Sequence, residues 1–88
     1  MLERRVRVTN PLGLHARASA RLVKLANNFA SNISLRRGDT GVEADAKSIL
    51  SVLYIAASCD VILYVTADGV DETEAIDQIL DLLETGLE

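Results

Sequence analysis

The chain has 88 residues, 49% of them apolar, and a net charge of −4, enough for one domain with its own core and no disulfide or metal staple. One cysteine, Cys59, excludes an intramolecular disulfide and suits a reducing compartment, and one histidine leaves no zinc-type Cys/His cluster. The opening "MLERRVRV" lacks a signal-peptide core, and the longest nearly apolar run, residues 49–57, is too short for a bilayer, so a soluble cytoplasmic protein is expected.

"RVRVT" at residues 5–9 alternates polar and apolar residues, which predicts a half-buried strand with Val6 and Val8 inward. "NPLG" breaks it. From residue 16 to 29, Ala18, Leu22, Leu25, Ala26 and Phe29 recur at helical spacing and form one face, with Arg17, Arg21, Lys24 and Asn28 on another side of the same helix. "NN" at 27–28 is its expected stop. "SNISLRR" alternates again, with Ile33 and Leu35 inward; "GDTG" at 38–41 is a turn, and "VEAD" is a short partner strand with Val42 and Ala44 inward.

Ser48 is placed to cap a short helix over residues 49–56 that is apolar on most sides. "CDVILYVTA" predicts a strand with Val61, Leu63 and Val65 on one face, closed by Gly69. "DETEAIDQILDLLETG" is the clearest helix. Asp71 and Glu74 make an Asp variant of the capping box, Ala75, Ile76, Ile79, Leu80 and Leu83 are its buried stripe, and Gly86 is a C′ glycine. There is no internal repeat or linker. The order βαββαβα with alternating strands implies an antiparallel sheet covered by helices on one face, an α+β two-layer sandwich.

The net charge hides a division. Residues 1–38 hold eight of the nine Lys and Arg and one of the thirteen Asp and Glu. On the plain reading these charges only cover solvated faces, but the basic part surrounds His15. A lone histidine at a helix start is ordinarily a surface residue or a cap helper, and no second ligand with metal spacing accompanies it. Its position allows another reading. The first N–H groups of a helix have no partner within it, and the helix dipole favours an anion there. Neutral imidazole is a competent nucleophile near neutral pH. Arg17 lies two residues on and offers a planar fork of donors, and Gly13 permits close backbone approach. Together these describe a phosphorylatable histidine.

"GLHARASARLVKLA" resembles the active-site segment of the HPr family, the phosphocarrier proteins of the bacterial phosphotransferase system. "AKSILSVL" resembles that family's regulatory serine and short second helix, and "ADGVDETEAIDQILDLL" its last strand end and C-terminal helix. The resemblance implies an open-faced sandwich, a four-stranded antiparallel sheet under three helices. It implies that His15 takes a phosphoryl group on Nδ1 from enzyme I, which draws it from phosphoenolpyruvate, and gives it to a IIA protein or domain. Arg17 and the backbone amides of Ala16 and Arg17 would steady the phosphate. Such a carrier is expected to be monomeric, without cofactor, metal or independent turnover.

The apolar Ile49, Leu50 and Leu53, rimmed by Arg17, Arg21 and Lys24, suit transient docking on acidic partners. Ser48 is a cap and, by the resemblance, a regulatory phosphorylation site for an HPr kinase/phosphorylase. Ala18 stands where many members have proline, and Cys59 stands near a turn where glycine is common. The hairpin at 36–45 is longer than in many sugar-system members and resembles the nitrogen-system paralogue, whereas "AKSI" points the other way, so both branches stay open, including a regulatory interaction module of the nitrogen branch. A nucleic-acid-binding α+β module is opposed by the aromatic content of 3% and the net acidity.

Overall fold

The sheet and helix patterns resolve into β1 (Leu2–Arg7), α1 (Ala16–Ala26), β2 (Asn32–Arg37), β3 (Glu43–Asp45), α2 (Ile49–Ile55), β4 (Ile62–Asp68) and α3 (Glu72–Thr85). The computed structural model describes residues 1–55 and 57–85. All strand pairs are antiparallel and the sheet order is β1-β4-β2-β3. The fold is the expected α+β open-faced sandwich. Alternate residues of each strand, Val6, Ile33, Leu35, Ala44, Leu63 and Val65 among them, are buried beneath the apolar stripes of the three helices. The other face carries the cross-strand row Arg5, Tyr64, Arg36 and Glu43, with the Arg36 guanidinium stacked 4.4 Å from the Tyr64 ring centre. That face is polar and stays wet.

Element ends shift where tertiary contacts outweigh local pattern. β1 begins at Leu2 rather than at residue 5, because residues 2–7 all find partners on β4, from Leu2↔Ala67 to Arg7↔Ile62. Val8 lies just past the strand yet is buried, with its N–H donating to Val61 O at 2.9 Å. α1 stops at Ala26, short of Phe29. The next N–H groups tighten to i−3 acceptors, Asn28 to Leu25 and Phe29 to Ala26, and the Asn27 amide donates to Val23 O at 2.8 Å. Phe29 is buried all the same. β4 starts at Ile62 rather than at Cys59. Val61 N–H closes a turn onto Ser58 O at 3.2 Å, and Asp60 within it has φ of 74°. Val42 lies outside β3 and is half-buried, like Leu25 and Leu80 on their helices. Cys59 is half-buried. The expected C′ glycine, Gly86, and the end of the predicted second helix, Ala56, lie outside the described residues.

The expected capping box at α3 is replaced by a longer-range tie. Glu74 accepts from Gln78 Nε2 at 3.2 Å, and Glu72 Oε1 accepts from Gly69 N–H at 3.2 Å. The Asp71 carboxylate reaches across to the α1–β2 connection. There it accepts from the N–H groups of Ala30 and Ser31, each at 2.9 Å, and from the Ser31 hydroxyl. These bonds, the Ser31 hydroxyl first, hold the Asp71 carboxyl below the usual carboxylate range. Gly69 completes the join, since a Cβ there would stand 2.6 Å from Ser31 Cα.

Two outcomes are expected in thermal unfolding followed by circular dichroism. Gly69→Ala lowers stability by about 1–3 kcal/mol through overpacking against buried Ser31. Asp71→Asn is also less stable than the parent at neutral pH. Because the folded carboxyl titrates below the unfolded one, its contribution is complete above about pH 4 and fades as pH falls through the folded value. The gap between parent and variant therefore narrows below pH ~4; a constant gap would remove Asp71 ionisation from the account.

Candidate functional site at the start of helix α1

The connection from β1 to α1 is built around backbone contact with the segment after α2. Asn10 starts it: its carbonyl accepts from Gly13 N–H at 2.8 Å, and its Oδ1 accepts from Leu12 N–H at 3.3 Å, an Asx-type turn. Gly13 has φ of +62°, and a Cβ at that position would lie 2.4 Å from Ala57 O and 2.7 Å from Ser58 Cα. Only glycine fits both demands. The next residue, Leu14, buries its side chain and donates its N–H to Ala57 O at 2.7 Å. Its own carbonyl accepts from the buried Ser19 hydroxyl at 3.1 Å. Leu14 is thus held from both sides immediately before His15.

His15 is the N-cap of α1, with extended backbone (φ −72°, ψ 177°). Its carbonyl accepts from Ser19 N–H at 2.8 Å and starts the helix. Its imidazole makes no cap hydrogen bond. The ring is half-buried and lines an open cavity of about 620 Å³ together with Asn10, Pro11, Leu12 and Arg17. No acidic residue stands in the first turn of α1, so the positive end of the helix dipole is not offset by a carboxylate of its own there. Ala18, where proline is common in the resembled family, is fully buried against the core. Among the described residues no group of three or more His, Cys, Asp or Glu could hold a metal, and no helix is long and apolar enough to cross a membrane.

α2 supplies the neighbouring surface. Ser48 caps it as expected, its Oγ accepting from Ser51 N–H at 3.4 Å and its carbonyl from Val52 N–H at 3.0 Å. Val52 and Ile55 face the core, while Ile49, Leu50 and Leu53 are exposed, Leu50 at 77%. Beside His15 and on α2, two further exposed apolar residues escape the pattern reading. Tyr54, also 77% exposed, stands one turn beyond Leu50, and Leu12, 73% exposed, flanks His15 in the turn. Tyr54 lay in a run read mostly as core, and Leu12 between two turn residues. Arg17 and Lys24 are exposed on α1. Arg21, also exposed on α1, lines a groove with Asp77 and Asp81 of α3.

Comparison with known proteins agrees with this geometry. Residues 2–85 match the PTS-HPr family, described as the PTS HPr component phosphorylation site. The chain is 46% identical to the phosphocarrier protein HPr of Cupriavidus necator over 83 residues, 94% of this chain and 91% of that protein. It is 41% identical to the phosphocarrier protein NPr of Proteus mirabilis, over 97% of this chain and 93% of that one. The crystal structure of HPr-C-His from Thermoanaerobacter tengcongensis superposes with a TM-score of 0.90 at 33% identity, covering 99% of this chain and 96% of that one. A histidine bare at a helix start, on this fold and with these relatives, places the chain in the HPr family of phosphocarrier proteins of the phosphotransferase system.

Proposed function

We propose that this chain accepts a phosphoryl group from phosphorylated enzyme I on His15 and passes it to a IIA protein or domain. The observation that carries the reading is His15 at the cap of α1, its ring free of cap bonds and lining an open cavity with Arg17. The lone pair of neutral Nδ1 attacks phosphorus, an N–P bond forms, and the bond to enzyme I breaks with its electron pair returning to that partner. The phosphoryl oxygens then sit against the amides of Ala16 and Arg17 and the Arg17 guanidinium. All of these are exposed or half-buried, so the anion is steadied without being locked in. A carrier needs that balance, because over-stabilising the loaded state slows the second transfer.

Docking falls to the exposed apolar residues Ile49, Leu50 and Leu53, joined by Tyr54 and Leu12, with Arg17 and Lys24 as a basic rim and Arg21 at its far edge. Such a surface suits brief, electrostatically guided encounters with acidic partners. Ser48 adds regulation by an HPr kinase/phosphorylase. A phosphate on this helix cap is tolerated locally but brings negative charge into the docking face. The 41% identity to an NPr protein favours a second reading, in which the same carrier chemistry serves the nitrogen-related branch as a regulatory interaction module.

Incubation with phosphoenolpyruvate and the cognate enzyme I should add one acid-labile phosphate, seen by intact mass and phosphorus NMR and absent in His15→Ala. No phosphate on the parent would end the carrier reading. Leu50→Asp should raise the concentration needed to half-saturate enzyme I by about tenfold, the scale of a docking contact worth ~1.4 kcal/mol, with its melting temperature unchanged. Ser48→Asp should weaken phosphorylation by enzyme I in the same way. Ser48→Ala should keep it and lose about 0.5–2 kcal/mol of stability with the cap.

A further inference from the structure

α2 ends without a cation of its own. Its last turn holds no basic residue, although the carbonyls there carry the negative end of the helix dipole. The missing cation comes from the sheet. Arg37, the last residue of β2, donates from Nη1 to Ile55 O at 3.1 Å. The same guanidinium grips Asp39 with its other donors, Nε to Oδ1 at 2.9 Å and Nη2 to Oδ2 at 2.7 Å. Arg37 is itself fixed. Its N–H donates to Val42 O, its carbonyl accepts from Gly41 N–H, it pairs with Leu63 of the central strand, and its side chain is 19% exposed.

The bonded carbonyl lies two residues before Ala57, the residue whose own carbonyl receives Leu14 N–H at 2.7 Å and against which Gly13 is pressed. One set of contacts thus runs from Asp39 through Arg37 to Ile55 O, and a second, starting two positions further along the chain, runs from Ala57 O to Leu14, the neighbour of His15. We propose that Arg37 is a positioning residue for His15: by tying the last turn of α2 to the sheet, it fixes the backbone platform on which the His15 loop rests. The step to phosphoryl transfer rests on the function proposed above, whereas the link to the loop stands without it. An ion pair serving only the hairpin would need Asp39 alone; the bond to a helix carbonyl is what extends it toward the site.

Hydrogen exchange by NMR reads the link directly. In Arg37→Gln the Leu14 amide should exchange about tenfold faster, within the range by which a residue outside a site modulates it, while amides of the central strand β4 keep their protection. Arg37→Lys should recover most of the protection, since an ammonium still offers a donor to Ile55 O without the fork to Asp39. With enzyme I, Arg37→Gln should lower the maximal rate of phosphoryl transfer and leave the half-saturating concentration unchanged, because the docking residues are untouched. Leu14 exchange that is unchanged, or that rises only in step with β4, would overturn the proposal. A parent protein that takes no phosphate would overturn the carrier function instead, and the Leu14 measurement would still decide the role of Arg37.

Discussion

The main-chain contact between Leu14 and Ala57 is what the site depends on. It joins segments more than forty positions apart in sequence, and it is possible only because Gly13 has no side chain to hold the two backbones apart. From it follows the direction in which α1 starts, and so where its first amides point and where the imidazole stands. A residue at a helix cap with its side chain uncommitted would ordinarily waste the position. Here the stability usually drawn from a side-chain cap is given up, and the Ser19 hydroxyl bonded to Leu14 O and the contact with Ala57 hold the helix start in its place.

The far ends of the same two helices are joined as well. The Asn27 amide, just past α1, donates to Lys47 O at 3.2 Å, and the Lys47 ammonium returns to Phe29 O at 2.7 Å. Lys47 thereby places a cation beside the carbonyl end of α1, where the dipole favours one. Both ends are fastened, and Ala18, Leu22, Val52 and Ile55 are buried between the two helices and the sheet. The basic stripe of the first and the apolar side of the second are presented together. The docking proposed above would then need little ordering of this surface beforehand.

The sequence discloses what depends on period and punctuation. The seven elements, their order, the inward Val6, Ile33, Leu35, Ala44, Leu63 and Val65 and the cap at Ser48 all follow from spacing, because a sheet covered on one face and an amphipathic helix leave strong repeats, whereas Val42 and Val61, also read as inward, lie just outside their strands and are half-buried. What it hides is decided by partners distant in sequence. Leu2 and Glu3 join β1 only because β4 offers them a neighbour. Asp71 reads as a local cap, but its carboxylate goes to Ala30 and Ser31. Asp60 gives no local sign of its left-handed backbone. At the site, His15, Gly13 and Arg17 were legible from their placement at a turn-to-helix junction. Leu12, Tyr54 and the reach of Arg37 were not, since exposure and a bond to another element's carbonyl leave no periodic trace.

β4 occupies the middle of the sheet yet is the last strand to leave the ribosome. β1 and β2 both take their main pairing from it, and among earlier strands only the short β2–β3 hairpin can close by itself. Until residue 68 has emerged, β1 remains an unpaired strand and β2 has one open edge, the condition that exposes nascent chains to mispairing. Long-range pairing of this kind also slows folding. The arginines and glutamate along β1 acquire a second meaning in that interval: Glu3, Arg4, Arg5 and Arg7 keep an early, waiting strand charged and soluble until its partner arrives.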